Sequence, residues 1–242
     1  MPTLASIKAN QQAIGNWGNV MQLRPYQQDA VDSAIAWMRK STEPALLGLS
    51  TGAGKSHIAA AIALWITQKT GKKVLVLQPS KELTSQNFEK YLATGEKASI
   101  FSASANSKCT RHNVVYATPK TVLNSIARFG DAFGAVIIDE AHQTTPTIKT
   151  IIDSIRAKNP MLRVIGMTAT PYRMGTGYIY QFDHTQTPVK RLSEDETISA
   201  FYHSLLYKIH TRELIEMHFL TDAHTDTDTN QIHYNTDNLT LN

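Results

Sequence analysis

Leu49-Ser50-Thr51-Gly52-Ala53-Gly54-Lys55-Ser56 is the stretch that decides how the rest of the chain is read. Its two glycines let a backbone fold its N–H groups around a phosphate, because no Cβ blocks the approach. Lys55 can then reach the β- and γ-phosphates of a triphosphate, and the Ser56 hydroxyl can ligate Mg²⁺. Ser50, Thr51, Gly52, Ala53 and Gly54 supply the rest of the cradle. The pattern G-x-x-x-x-G-K-[ST] is broken only at its first position, where Leu49 replaces glycine. A strand-like run over 45–49 leads in and a helix-like run over 57–68 leads out, which puts the phosphates at a helix N-terminus. The alternative is a glycine-rich turn that binds nothing, and T-G-x-G-K-S between a strand and a helix makes it the poorer reading.

Outward from this loop, short β-rich runs alternate with helical periodicity. Residues 27–40 place Val31, Ala34, Ile35 and Met38 on one helical face. Strands are expected over 74–78, 99–102, 114–116, 135–138 and 162–167. Helices are expected over 80–92 with Ser80 as N-cap, over 119–129 with Pro119 at its start, and over 146–157. The run 135–138 is wholly apolar and suits a central parallel strand buried on both faces. Repeated strand-then-helix units argue for a three-layer α/β domain with a mostly parallel sheet. Ligands of such sheets gather at the carboxyl ends of the strands, where the loop at 49–56 falls.

Asp139 and Glu140 follow the strand over 135–138 and reach the same end of the sheet. Asp139 is placed to hold Mg²⁺ beside Ser56, and Glu140 to orient or deprotonate an attacking water. The reading for an isolated Asp-Glu pair would be a solvated loop; a buried strand in front of it favours catalysis. His142 either bridges the nucleotide site to other elements or bonds locally. Thr168-Ala169-Thr170 closes the strand over 162–167 similarly. The hydroxyls of Thr168 and Thr170 can bond back to the acidic motif and sense the γ-phosphate, although small polar residues before Pro171 are also ordinary turn chemistry.

The order of these elements resembles a family. Arg24-Pro25-Tyr26-Gln27, the loop at 49–56, Gln78-Pro79-Ser80-Lys81-Glu82-Leu83, Ala117-Thr118-Pro119-Lys120-Thr121, Asp139-Glu140-Ala141-His142 and Thr168-Ala169-Thr170 look like the motifs of a superfamily 2 helicase. Together they look like its first RecA-like lobe only, a P-loop NTPase domain of the DEAH-motif kind, and cover roughly residues 23–171. The stretch from Asn159-Pro160 through Gly166, with Arg173, Gly175, Gly177 and Ile179-Tyr180-Gln181-Phe182, is similar to RadD-type DNA-repair helicases, as is Leu214-Ile215 followed by Phe219-Leu220-Thr221. The resemblance implies ATP and Mg²⁺ as cofactors. It implies that Gln27 reads the adenine edge and that Arg24 packs on or near the base. It also implies that Ser80, Lys81, Thr118 and Lys120 lie along a nucleic-acid backbone and contact phosphates without reading sequence. Singly, each of these four is equally an ordinary cap or a solvated side chain.

The same family needs a second RecA-like lobe, in cis or in trans, with an arginine finger worth on the order of 10³–10⁵ in rate. Nothing after Thr170 reads as a second β-α series or as Q-x-x-G-R-x-x-R; Arg173, Arg191 and Arg212 stand isolated in the sequence. The Cys-rich segment associated with RadD-type proteins is absent as well. The expectation is therefore a fragment, a truncated product or one lobe of a split motor. Three functions stay open: the ATP-binding lobe of a DNA-dependent ATPase or helicase, the motor part of a type I or III restriction subunit, or a nucleotide-binding regulatory module that does not hydrolyse ATP.

Composition sets the outer bounds. At 242 residues and 42% hydrophobic, the chain can bury one large core with or without an appendage. No run approaches ~20 apolar residues, so no membrane span is expected. Cys109 is the only cysteine, which excludes an internal disulfide and a Cys-rich zinc site, and a cytoplasmic location is the default. Of the 20 acidic residues, Asp222, Asp226, Asp228 and Asp237 lie beyond position 221, where no Lys or Arg occurs. The body therefore carries all 24 basic residues and a clear positive excess, compatible with a polyanion such as DNA, single-stranded or duplex. The expected organisation is an N-terminal extension over 1–22, the ATP-binding domain over 23–220, and a polar tail or linker over 221–242.

Overall fold

The structure is a computed structural model and describes residues 22–197 and 200–221. Apart from Gln22 and Thr221, the expected N-terminal extension and polar tail lie outside the described residues. The first half runs α1 (Pro25–Lys40), β1 (Ala45–Leu49), α2 (Lys55–Thr70), β2 (Lys73–Leu77), α3 (Lys81–Leu92), β3 (Ala98–Ser102), β4 (Ser107–Lys108) and β5 (Val114–Ala117). The second half runs α4 (Pro119–Leu123), β6 (Phe133–Ile138), α5 (Pro146–Arg156), β7 (Arg163–Thr168), β8 (Tyr172–Arg173), β9 (Gly177–Tyr178), β10 (Tyr180–Asp183), β11 (Lys190–Arg191), β12 (Tyr202–Ile209) and α6 (Thr211–Glu216).

Ten strands form one sheet in the order β11-β10-β12-β1-β7-β6-β2-β5-β3-β4. The eight strands from β10 to β3 are mutually parallel; only the two-residue edge strands β11 and β4 run antiparallel. The sheet carries helices on both faces, as a parallel sheet must. Alternation within each strand assigns the faces. Ala45, Leu47 and Leu49 of β1 join Val74, Val76, Ile137, Ile165 and Met167 under α1 and α2. Leu46 joins Leu75, Leu77, Val136, Ile138 and Val164 on the opposite face, under the apolar stripe Ile148, Ile151, Ile152 and Ile155 of α5. In α2 the run Ala59, Ala60, Ala61 and Ala63 is buried, and small side chains there let the helix lie close to the sheet.

The helix ends follow their local chemistry. Ser80 caps α3 by accepting from the Leu83 N–H at 3.3 Å, and Thr145 caps α5 through Ile148 at 3.4 Å. α1 opens with Pro25 in its first turn, and the Gln27 Oε1 accepts from the Arg24 N–H at 3.0 Å. One expected helix is shorter than its sequence suggested. Over 119–129 the α-helix stops at Leu123, and a separate 3₁₀ turn, Ile126–Arg128, follows. Ser125 leaves helical geometry at φ −134°, which turns Phe129 into the core to pack on Phe101 and Phe133.

The segment after Thr170 adds to this same sheet. β12 pairs in parallel with both β1 and β10, and α6 follows it. Tyr202 at the start of β12 reaches across the sheet face. A Cβ on Gly166 of β7 would stand 2.6 Å from the Tyr202 ring, so glycine is what lets the ring pass. No helix among the described residues is long and apolar enough to cross a membrane.

Candidate nucleotide site

The loop between β1 and α2 has the backbone that its glycines anticipate. Gly52 and Gly54 sit at φ 83° and 77°, in the left-handed region that excludes ordinary side chains. A Cβ on Gly54 would also collide with the Gln27 amide, which donates from Nε2 to the Ala53 carbonyl at 3.0 Å. Gln27, with the buried Tyr26 beside it, therefore braces the loop from α1. Its second amide proton and second oxygen lone pair have no hydrogen bond among the described residues. Ser50 is buried and its Oγ has no hydrogen-bond partner among the described residues. Thr51 is exposed; Lys55 and Ser56 are half-buried at the N-terminus of α2.

Lys55 Nζ contacts Glu140 Oε1 at 2.6 Å, joining the phosphate loop to the acidic motif. The two side chains are 17% and 26% exposed, enough cover to reduce screening by salt. Glu140 adopts φ 48°, a left-handed conformation uncommon for a side-chain-bearing residue. Its N–H donates to Asp139 Oδ1 at 3.0 Å. Such backbone geometry costs of order 1–3 kcal/mol and persists where the surroundings hold it, here the lysine and the aspartate.

Asp139 is nearly buried, and burial holds its carboxyl above the usual range while Lys55 pulls the other way. Oδ2 accepts from Asn87 Nδ2 of α3 at 3.4 Å. Gln78, at the end of β2, is also buried, and its Oε1 has no protein partner among the described residues. These oxygens test whether a hard cation fits. A single carboxylate, a serine hydroxyl and a spare amide carbonyl suit a cation that keeps several waters and shares phosphate oxygens, which is the habit of Mg²⁺. No group of three or more His, Cys, Asp or Glu among the described residues makes a self-sufficient metal cage.

His142 does bridge. Its Nδ1 lies 2.9 Å from Thr168 Oγ1 and 3.4 Å from Glu140 Oε2. Thr168 and Thr170 do not act alike. The Thr168 hydroxyl meets His142 and accepts from the Thr170 N–H at 3.0 Å, while Thr170 contributes only backbone to this turn. Sequence reasoning missed three supports. Arg173 is not isolated: its Nε donates to the His142 carbonyl and its Nη2 to the Thr144 carbonyl at 2.8 Å. Tyr202 OH meets Thr144 Oγ1 at 2.9 Å. Asn87 holds Asp139. Tyr202 and Asn87 belong to no motif, Arg173 was marked only by its place in the RadD-like stretch, and each partner is remote in sequence.

The four expected nucleic-acid residues share the same end of the sheet. Lys81 and Lys120 are exposed at the starts of α3 and α4. Thr118 Oγ1 bonds Ser102 at 3.2 Å and Thr121 at 2.9 Å, and Ser80 serves as a cap. A cleft lined by Gln78, Pro79, Thr118, Lys120, Asp139 and Gln143 runs from these positions to the acidic motif.

A parallel sheet with a phosphate loop after one strand and an acidic motif after another defines a RecA-like nucleotide-binding domain. Residues 20–173 match the family described as "Type III restriction enzyme, res subunit", and the chain belongs to that family. It is a first RecA-like lobe of superfamily 2. The ATP-dependent DNA helicase mph1 of Aspergillus niger is 28% identical over 186 residues, covering 68% of this chain and 16% of that protein. The UvsW helicase from bacteriophage T4 superposes with a TM-score of 0.55 at 21% identity, over 77% of this chain and 60% of that one. The Type ISP restriction-modification enzyme LlaGI superposes at 0.56 and 18% identity, over 82% and 21%. The chain thus spans about a sixth to a quarter of the length of the curated relatives it matches.

Proposed function

We propose that this chain is the ATP-binding lobe of a DNA-dependent ATPase or helicase acting in DNA repair, close to the RadD-like group and cytoplasmic. The observation that carries the proposal is the 2.6 Å contact between Lys55 and Glu140, which draws the phosphate loop and the acidic motif into one site. The Lys55 ammonium has three protons, so two remain for β- and γ-phosphate oxygens while one stays on Glu140. Ser56 and Asp139 would hold Mg²⁺, which when bound neutralises charge developing on the phosphates. Glu140 orients the attacking water and takes its proton. Asp139 is kept in place by Asn87 and by the Glu140 N–H. Gln27 and Arg24 receive the base, and His142 with Thr168 links Glu140 to the end of β7. Ser80, Lys81, Thr118 and Lys120 track a DNA backbone by contacts that do not read sequence.

A second RecA-like lobe, in cis or in trans, supplies the arginine finger. The chain by itself accordingly binds ATP·Mg²⁺ and turns it over slowly. Steady-state ATPase should be measured with and without single-stranded and duplex DNA, alone and after addition of a second lobe. Robust DNA-stimulated turnover by the isolated chain overturns the half-motor reading. A second reading, the motor part of a restriction subunit, draws support from the family match and from the likeness to LlaGI. A nuclease or methyltransferase that copurifies with the chain would favour it.

A further inference from the structure

Phe219 and Leu220 belong to no nucleotide motif, yet both lie against the nucleotide site. The turn that brings them there is well fixed. His218, at φ 59°, ends α6, and the N–H groups of Phe219 and Leu220 both donate to the Leu214 carbonyl, at 2.8 and 3.2 Å. The Phe219 ring then packs on Tyr26 with centroids 5.2 Å apart. The Arg24 guanidinium lies over the same ring at 4.9 Å, and its Nη1 reaches the Phe219 carbonyl at 3.5 Å. Leu220 leans on the phosphate loop so closely that a Cβ on Gly52 would stand 2.9 Å from its Cδ2.

We infer that Phe219 is the plate of a purine-base subsite, holding the Arg24 guanidinium flat so that its outer face stacks on the base. Leu220 seats the subsite against the phosphate loop. This rests on the nucleotide reading above and adds to it the residue that makes the site prefer a base over a bare phosphate chain. The geometry is layered. The Arg24 Cζ lies over the Phe219 ring at 4.9 Å, and Arg24 is otherwise exposed, which leaves the side away from the ring open. A guanidinium is planar and weakly hydrated and stacks on aromatic surfaces, where a lysine would not. One residue turn away, Gln27 has a spare donor and acceptor for the edge of the same base. Without the ring, Arg24 keeps only long Nη1 contacts to the Phe219 carbonyl at 3.5 Å and the Tyr26 hydroxyl at 3.4 Å, so its guanidinium plane is less fixed and ordering it on the base carries more of the entropy cost.

The test is the dissociation constant of ATP and, separately, of tripolyphosphate, which lacks a base, for the full chain, each obtained by competition after the mant-ATP affinity of that variant has been titrated directly. Phe219→Leu keeps apolar volume and removes the ring; Phe219→Tyr keeps the ring. Expected is a roughly tenfold higher dissociation constant for ATP, and for mant-ATP, in Phe219→Leu, an unchanged one for tripolyphosphate, and near-normal values in Phe219→Tyr. Circular dichroism confirms that α6 survives in both variants. If ATP and tripolyphosphate weaken together, Phe219 acts through the phosphate loop and the inference is overturned. It is equally overturned if Phe219→Leu changes nothing, or if the wild type prefers tripolyphosphate to ATP. Failure of the wild type to bind mant-ATP at all overturns the nucleotide reading and this inference with it.

Discussion

Between Ala45 and Ser56 a strand, a loop and the start of a helix carry the phosphate-binding groups in consecutive residues. The contacts that hold the rest of the site come from far away. Arg173 reaches Thr144 across 29 residues, Asn87 reaches Asp139 across 52, Tyr202 reaches Thr144 across 58, and Arg24 meets Phe219 across 195. The phosphate loop works because of what each residue is. The supports work because of where the sheet puts them. Chemistry in the first region should therefore fail outright on substitution, while the second region should fail by degrees.

Lys55→Ala tests the first half of that contrast and carries the largest expected effect. It removes the phosphate cation and leaves Glu140 with only His142 beside it, so mant-ATP affinity and any second-lobe-assisted turnover should fall together, turnover by on the order of 10²–10³. Unchanged turnover would point to a contaminating ATPase. Arg173→Ala tests the second half. It cuts two bonds to the acidic loop while touching no phosphate, so turnover with a second lobe should drop about tenfold with nucleotide affinity nearly unchanged. Arg173→Lys should not restore it, because a lysine lacks the fork that meets two carbonyls at once. Equal loss in binding and turnover would erase the distinction between the regions.

Stability separates them further. The Asp139 carboxyl is held above its ordinary value near 3.8 by burial. Between the unfolded and folded values the native state binds more protons, so ionising Asp139 lowers stability as pH rises through that window. Asp139→Asn should thus melt a few degrees above the wild type at neutral pH while abolishing turnover. The gain should shrink as pH falls toward the ordinary carboxylate range, where both side chains are neutral; calorimetry across pH checks it. The smallest effect is expected of Tyr202→Phe, which removes one buried hydrogen bond to Thr144. A loss of about 1 kcal/mol, or about 2–4 °C in melting temperature, is the scale for a domain of this size. Thr144 keeps its bond to the Ala141 carbonyl, which limits the damage.

How much of this was readable without coordinates follows from the same contrast. The phosphate loop, Asp139-Glu140 and Thr168 announce themselves by residue type at fixed offsets after apolar strands, and those strands form within a residue or two of expectation. β12 did not announce itself. Tyr202–Ile209 interleaves His203 and Lys208 with its apolar residues and follows polar turns, so neither alternation nor a motif marked it. Its place beside β1 is a property of the sheet, as is the delivery of Phe219 to Arg24. The helix expected over 119–129 was overextended because Leu123 and Ile126 keep an apolar spacing across Asn124-Ser125, where the backbone breaks. His142 was left open between two roles because only the position of β7 could choose.

β7 lies between β1 and β6, so the phosphate loop and the acidic motif grow from strands that are not neighbours. Two inter-strand steps separate their ends by about 10 Å. That spacing acts as a ruler. It is too wide for two short side chains to close, so a long lysine spans it, and it leaves a berth of molecular width between the loops. Thr168 ends the strand between them, and its hydroxyl meets His142.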